Sequence, residues 1–386
     1  MQLRADWNYP TSVRFGLGRI AELPEAVKSA AIARPLFVTD PNLARLPMVA
    51  DALASLNAAA LPTNLFSDIR PNPVEANITA GVGAFRAGGH DGVVAFGGGS
   101  ALDAGKLIAF MTAQVRPVWD FEDVGDWWTR ANSDGIAPIV AVPTTAGTGS
   151  EVGRAAVVTN ETAQVKKIIF HPRMMPKVAM CDPALTVGMP PLITAGTGMD
   201  ALAHCLEAYC GSFYHPLADG IAAEGVRLVK ENLARAVKDG SDLEARAHMM
   251  AAAAMGATAF QKGLGAIHAL SHPVGALYDT HHGLTNGVFM PYALVFNRRE
   301  IEPRIKRLAA YLGLRPTFRA FLDWVVALRA EVGVPRTLAG LKVDDQHIDR
   351  IVAMAVEDPT AGGNPRLFDK RAARTIFKRA LEGRMW

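Results

Sequence analysis

The order of apolar runs along the chain constrains the fold most strongly. Within residues 1–187, short apolar runs at 35–40, 91–96 and 136–142 are separated by alanine-rich stretches of helical character. Strand, helix and strand at this spacing are typical of βαβ units, whose strands pair in parallel. The runs do not alternate apolar with polar residues, which indicates strands covered on both faces. The sequence therefore predicts an α/β domain built on a parallel sheet.

The pattern changes after Gly188. Strand-like runs largely disappear, and long segments rich in Ala, Leu, Glu and Arg take over at 219–239, 243–260 and 348–357. Such segments are typical of helices that pack on one another. We therefore expect two domains, an α/β domain of residues 1–187 and an all-helical domain of residues 188–386.

Composition excludes several classes of protein. Of the 386 residues, 50% are hydrophobic and 20% are charged, and the net charge is only +3, so neither disorder nor a nucleic-acid partner is expected. The 3 cysteines form no C-x-x-C pair, which fits a reducing compartment. Residues 1–10 lack the apolar core of a signal peptide, and the apolar stretch 249–260 is too short to span a bilayer. We expect a cytoplasmic protein with no membrane partner.

A glycine-rich turn follows the second apolar run directly. Residues 91–96 lead into Gly97-Gly-Gly-Ser100 and then into a helical stretch that contains Asp103. Glycines let a ligand approach the backbone, and a helix N-terminus offers unpaired N–H groups to a phosphate. The spacing is not G-x-G-x-x-G, because Leu102 replaces the third glycine, and it is not a Walker A loop. A tight turn with a capping box from Ser100 to Asp103 is the purely structural alternative.

Two further features point to a dinucleotide at the same sheet edge. The segment 143–151 follows the third apolar run and carries four hydroxyl residues and two glycines. Loops that follow adjacent parallel strands converge at the carboxyl ends of those strands. Asp40 ends the first run, where a carboxylate can accept the ribose hydroxyls of NAD and would repel the 2′-phosphate of NADP. An Asx turn before Pro41 is the alternative reading of Asp40.

The helical half carries a pattern of metal-binding residues. Asp200 and His204 are four residues apart, His268 and His272 repeat this spacing, and His282 follows in His-His-Gly. Residues four apart lie on one helix face, one turn from each other. Both pairs stand among Ala, Leu and Gly, where an unpaired carboxylate would be costly. Imidazole and carboxylate donors without thiolate suit Fe(II), Zn or a similar divalent ion.

Together, these motifs resemble the iron-containing (group III) alcohol dehydrogenase family, and the resemblance covers nearly the whole chain. It implies an N-terminal Rossmann-like parallel-sheet domain and a C-terminal helical domain with the active site in the cleft, the architecture shared with dehydroquinate synthase. The motifs that carry the resemblance are Gly97-Gly-Gly-Ser100 with Asp103, 143–151, Asp200-x-x-x-His204, His268-x-x-x-His272-Pro-x-Gly, His282-Gly and Gly363-Asn-Pro-Arg366.

The resemblance also implies roles for single residues. It implies metal ligation by Asp200, His204, His268 and His282, with His281 facing away. His272 would lie near the ion without ligating it, and we expect it to relay a proton as the catalytic residue. One departure is Gly153, where many relatives carry threonine. The residues expected to line the dinucleotide site are Asp40, Gly97, Gly98, Gly99, Ser100, Asp103, Thr144, Thr145, Thr148 and Lys167.

The expected function is that of an enzyme, an NAD-dependent and divalent-metal-dependent alcohol dehydrogenase. It would interconvert a small alcohol and its aldehyde or ketone, with Fe(II) as the first expectation and zinc as the alternative, in a homodimer. A lyase of the dehydroquinate synthase type would need a dense cationic pocket, and a zinc-dependent glycerol dehydrogenase-like enzyme also stays open. A non-catalytic metal or nucleotide sensor is a further alternative, but the sequence shows neither a DNA-reading helix nor a basic stripe to support it. The basic residues nearest the motifs are Arg154, Lys166, Lys167, His171 and Arg173.

Overall fold

The computed structural model describes residues 11–386. Residues 1–10, the segment without a signal-peptide core, lie outside the described part. Within it the chain forms two compact units. One contains residues 11–145 and 149–187, and the other contains residues 188–386 together with the short segment 146–148.

The first unit is built on a six-stranded sheet with the order β1-β8-β5-β4-β2-β3, in which every neighbouring pair is parallel. A separate antiparallel hairpin, β6-β7, completes its β structure. The strands are β1 (Ser12–Phe15), β2 (Pro35–Val38), β3 (Asn64–Phe66), β4 (Gly92–Gly97), β5 (Ile139–Pro143), β6 (Ala155–Asn160), β7 (Val165–Phe170) and β8 (Val178–Cys181). The α-helices of this unit are α1 (Leu23–Ser29), α2 (Pro47–Ala58), α3 (Glu75–Ala87) and α4 (Gly99–Met111).

The central strands are covered on both faces, as their continuous apolar sequences predicted. Val93 and Ala95 of β4 pack into one hydrophobic cluster, and Val94 and Phe96 pack into a second cluster on the opposite face. Phe96 stacks on Phe37 of β2 with the ring centroids 5.2 Å apart. Burial of an apolar side chain of this size stabilises a fold by roughly 1.5–3 kcal/mol, which favours the central position of β4.

The second unit is helical. Its helix α5 is buried over most of its length and packs against three others, α6, α7 and α9. Glycines allow the close approach, since a Cβ at Gly198 would overlap Leu233 and a Cβ at Gly225 would overlap Cys205. The helices are α5 (Pro191–Cys210), α6 (Pro216–Lys238), α7 (Leu243–Ala259), α8 (Ala266–Tyr278), α9 (His282–Tyr311), α10 (Phe318–Glu331), α11 (Ile348–Glu357) and α12 (Lys370–Glu382).

These observations confirm the expected fold class, a parallel-sheet unit followed by a helical one. The three apolar runs form β2, β4 and β5, which are neighbours in the sheet. The β6-β7 hairpin was not anticipated. Among the described residues, none of the helices combines the length and the apolar character that crossing a lipid bilayer requires.

Candidate active site

The four side chains expected to bind a metal lie together in the helical unit. Asp200 and His204 are one turn apart on α5, His268 lies on α8, and His282 is the first residue of α9. From Asp200 Oδ1 the distances to Nε2 of His204, His268 and His282 are 3.9, 3.7 and 3.5 Å. Donor atoms of Asp200, His204 and His268 all lie within 4.8 Å of one another.

These distances fit a single divalent ion. Two donor atoms bound to one ion at roughly 2.0–2.2 Å lie about 3.3–3.6 Å apart at a tetrahedral angle. The 3.5–3.9 Å that separate Asp200 Oδ1 from the three imidazoles are close to this spacing. Asp200, His204 and His268 are buried, and burial of one carboxylate among imidazoles is costly without a cation. The donor set and its spacing therefore match the metal chemistry that the sequence indicates.

The protonation of the site follows from burial and from neighbouring charges. Burial lowers the pKa of His204 to about 4, so this imidazole is neutral and keeps a lone pair. Burial opposes ionisation of Asp200, but the three histidines together outweigh it and lower the pKa of this carboxyl. Burial likewise opposes protonation of His268, yet contacts with Asp200 and Glu207 raise its pKa to about 9. The cluster thus attracts positive charge, either a proton or a metal ion.

Two residues that contact the proposed metal ligands were not predicted from the sequence. Glu207 places Oε2 2.6 Å from His268 Nδ1, and its Oε1 accepts a hydrogen bond of 2.7 Å from the backbone N–H of Ile267. Asn286 donates to Asp200 Oδ1 at 2.7 Å, and its Nδ2 lies 3.2 and 3.1 Å from Nε2 of His268 and His282. Helical spacing is the signal that could have found both, because Glu207 follows His204 by three residues and Asn286 follows His282 by four.

His272 lies beside the cluster and is held by a carboxylate of its own. Its Nδ1 is 2.8 Å from Asp358 Oδ2, and its ring stacks on that of His282 with centroids 5.4 Å apart. Oδ1 of Asp358 accepts hydrogen bonds from the N–H and the hydroxyl of Thr360, at 2.9 and 2.5 Å. Burial opposes ionisation of Asp358, but His272 and Thr360 outweigh it and lower the pKa of this carboxyl.

The loop that contains Asp358, residues 358–366, is held against helices α8 and α9. Asn364 and Asn297 exchange two side-chain hydrogen bonds, at 2.8 and 2.9 Å, and Asn364 also accepts from the N–H of Ala266 at the start of α8. The Gly-Asn-Pro-Arg motif therefore fixes the loop next to α8. His281 accepts from the N–H of Leu284 and caps the N-terminus of α9.

The glycine turn has a backbone conformation and a close contact that both favour glycine at position 97. Gly97 ends β4 with a φ of +146°, and a Cβ at this position would lie 2.7 Å from the Cβ of Ala101. Helix α4 begins at Gly99, and no side chain caps it, so a capping box from Ser100 to Asp103 is not formed. The backbone N–H groups at this helix start are consequently not occupied by a side-chain cap.

Asp103 and Lys106 instead contact the end of the segment 143–151 and the start of β6. The carboxylate of Asp103 accepts from the Ser150 hydroxyl at 2.5 Å and from the Val157 N–H at 2.9 Å. Lys106 is buried, donates to the carbonyl of Ser150 at 3.0 Å and also contacts the carbonyl of Ala155. Burial lowers the pKa of Lys106 and raises that of Glu151 to about 7.

Of the remaining residues expected around a dinucleotide, two lie beside the glycine turn and a third lies in the segment 146–148. Thr144 and Thr145 lie against the glycine turn, since the Thr144 N–H donates to the Gly97 carbonyl at 3.0 Å and a Cβ at Gly98 would lie 3.2 Å from Thr145. Thr148 belongs to the segment that clusters with the helical unit.

Two more of these residues are engaged within the α/β unit. Lys167 pairs with Glu122 at 2.7 Å. Asp40 follows β2, and its Oδ1 accepts from the N–H groups of Asn42 and Leu43 at 2.9 and 3.1 Å. The Asx-turn geometry considered for Asp40 is therefore formed, and both of these bonds use one carboxylate oxygen.

The chain is similar in sequence to a known protein family and its members. Residues 10–183 match the model of the family described as iron-containing alcohol dehydrogenase, and residues 194–381 match that of the C-terminal domain of the Fe-containing alcohol dehydrogenase family. The chain is 36% identical to 4-hydroxybutyrate dehydrogenase of Cupriavidus necator, over 98% of this chain and 99% of the relative.

Solved structures of related proteins share the fold of this chain. A structure of 1,3-propanediol oxidoreductase is similar with a TM-score of 0.92 and 33% identity, over 97% of this chain and 99% of that one. A structure of sulfoacetaldehyde reductase from Bifidobacterium kashiwanohense in complex with NAD+ is similar with a TM-score of 0.87 and 28% identity, over 98% and 99% of the two chains.

Proposed function

The chain belongs to the iron-containing alcohol dehydrogenase family, and from this premise we propose that it interconverts a small alcohol and its aldehyde or ketone by hydride transfer with NAD(H). The observation that carries the proposal is the group of three imidazoles 3.5–3.9 Å from one oxygen of Asp200. Asp200, His204, His268 and His282 would hold one divalent ion, Fe(II) by the family description or zinc by donor chemistry.

The residues of the helical unit divide the chemical work. When bound, a divalent ion supplies Lewis acidity, which acidifies an alcohol hydroxyl or polarises a carbonyl group. A carboxylate can only accept, so Nδ1–H of His272 donates to Asp358 and leaves Nε2 with the lone pair. His272 accepts the proton that the alcohol loses and returns it in the reverse direction, while Asp358 holds the imidazole in the tautomer this requires.

The residues of the α/β unit would bind the cofactor. The turn Gly97–Ser100 presents backbone N–H groups at the start of α4, where the pyrophosphate of a dinucleotide would bind. Asp40 uses Oδ1 within its own turn, so Oδ2 would accept a ribose hydroxyl, which favours NAD over NADP. Asp103 would contribute indirectly, because its hydrogen bonds to Ser150 and Val157 position the segment 143–151. The residues proposed to line the site beside these are Thr144, Thr145, Thr148 and Lys167.

The alternative functions receive less support. A lyase of the dehydroquinate synthase type would need free cations, but Lys167 pairs with Glu122 and Arg173 pairs with Asp134. The similar chains described above are named as a dehydrogenase, an oxidoreductase and a reductase, and neither the lyase nor a glycerol dehydrogenase-like enzyme is favoured. We also propose a dinucleotide-binding role for residues 1–187, a metal- and substrate-binding role for residues 188–386, and a cytoplasmic homodimer.

Metal removal tests the proposal directly. We expect chelator treatment to abolish NADH formation from alcohols, and Fe(II) or Zn(II) to restore it, in a panel that runs from short alcohols to ω-hydroxy acids. Replacing His268 with alanine should weaken metal binding more than replacing His272, because only His268 is a proposed ligand. Full turnover by metal-free protein, or equal metal loss in the two variants, would reject the proposal.

A further inference from the structure

Two buried carboxylates contact the two histidines of α8 in the same way. Glu207 lies 2.6 Å from Nδ1 of His268, and Asp358 lies 2.8 Å from Nδ1 of His272. Both carboxylate side chains are less than 10% exposed, at 8% and 7%. The contacts are alike, but they serve different histidines, since His268 is a proposed ligand and His272 is not.

We propose that Glu207 is a positioning residue of the metal site, which fixes His268 as a ligand and, with Asp200, balances the charge of one divalent ion. The inference rests on the proposed function, because it requires that the site binds a metal. The carboxylate accepts the Nδ1 proton of His268, which leaves the lone pair of this imidazole on Nε2. Nε2 is the atom that faces Asp200, at 3.7 Å.

Glu207 is itself held at both oxygens. While Oε2 contacts His268, Oε1 accepts the backbone N–H of Ile267, the residue that precedes His268. The carboxylate thus contacts both the main chain and the imidazole ring at the start of α8. This arrangement fixes the position and the rotation of the imidazole, two quantities that decide whether Nε2 reaches an ion.

The charge of the proposed ligands is a second reason to assign Glu207 to the metal site. The four proposed ligands contain one carboxylate, Asp200, which would leave a divalent ion with one uncompensated positive charge in a buried site. Among the described residues, the ion-pair partner of Glu207 is His268, so its negative charge is directed at the ligand set. Asp200 and Glu207 together supply the two negative charges that match a divalent ion.

The test is a titration of the full-length, metal-stripped protein with Co(II) against a competing chelator, followed by the visible absorption of bound cobalt. Wild-type protein should bind one Co(II) per chain. Glu207→Gln keeps the side-chain volume and removes the charge, and it should bind Co(II) about 10–100-fold more weakly, with a changed absorption spectrum. Asp358→Asn is the matched control, because it alters the same contact at a non-ligand, and its Co(II) affinity should stay within about threefold of wild type.

Each result decides the matter. The inference is overturned if Glu207→Gln binds Co(II) with wild-type affinity and spectrum, or if Asp358→Asn loses as much affinity as Glu207→Gln. Thermal unfolding of the metal-free variants reports folding. Should Glu207→Gln fail to fold, Glu207→Asp replaces it, since this variant keeps the charge but shortens the reach, and wild-type affinity there would equally defeat the inference. A wild-type chain that binds no Co(II) defeats the proposed function, and this inference with it.

Discussion

Replacing Gly283 with alanine tests how closely α5 and α9 must approach for the proposed ligands to meet. A Cβ at Gly283 would lie 2.1 Å from the carbonyl oxygen of Gly196 and 3.1 Å from the Cβ of Asp200. The first distance is about 1.3 Å short of ordinary contact, and the obstacle is backbone, which cannot rotate away. The two helices must therefore separate, and overpacking of this kind costs roughly 1–3 kcal/mol.

The separation should also damage the metal site, because His282 precedes Gly283 and Asp200 lies across the contact. Their donor atoms are 3.5 Å apart, and this distance would lengthen. We expect Gly283→Ala to lower both the thermal midpoint and the affinity for Co(II). Gly220→Ala on α6 is the matched control, because a Cβ there meets no atom within 4 Å and alanine favours a helix by about 0.5–1 kcal/mol. Unchanged stability and unchanged Co(II) affinity in Gly283→Ala would show that the close approach of α5 and α9 is not required.

Three more predictions concern single side chains. Burial raises the pKa of Glu151 from 4.5 to about 7, so between these values the native chain holds a proton that the unfolded chain has lost, and the free energy of unfolding should fall by about 3 kcal/mol as pH rises through this window. Urea unfolding of Glu151→Gln at several pH values should lack that decrease, and a persisting decrease would contradict the assignment. Asp40→Ser should raise the ratio of kcat/KM for NADP to that for NAD by about tenfold, or roughly 1.4 kcal/mol of relieved repulsion, and an unchanged ratio would count against Asp40 as the selecting residue. Asp358→Asn should lower kcat about 100-fold at saturating substrate, whereas a wild-type kcat would remove Asp358 from the proton path.

Much of the fold was predictable from local sequence. The continuous apolar runs that became β2, β4 and β5 are buried on both faces, and such burial leaves a clear pattern. The comparisons confirm the family, the two-part fold and the class of enzyme, which the motifs along the chain had indicated. The β6-β7 hairpin was missed because its strands are mostly half-buried, and polar residues in β6 and lysines in β7 interrupt their apolar sequences.

Residue spacing alone pointed to the site where its residues share a helix turn, whereas His282 was expected through the family resemblance. Asp200 and His204 are one turn apart, so their spacing indicates that they lie on one helix face. The same spacing rule could have identified Glu207, which follows His204 by three residues. Asp358 lies 86 residues from His272, and no local pattern links positions that only tertiary packing of a loop brings together. Asp40 shows a further limit, because one carboxylate can form an Asx turn and still offer an oxygen to a ligand.

Anomalous diffraction from crystals grown with Fe(II) or Co(II) would show whether Asp200, His204, His268 and His282 share one ion. We expect one strong peak per chain, at about 2.0–2.4 Å from Oδ1 of Asp200 and from Nε2 of His204, His268 and His282. A peak at other residues, or no peak in protein that turns over alcohol and NAD, would contradict it.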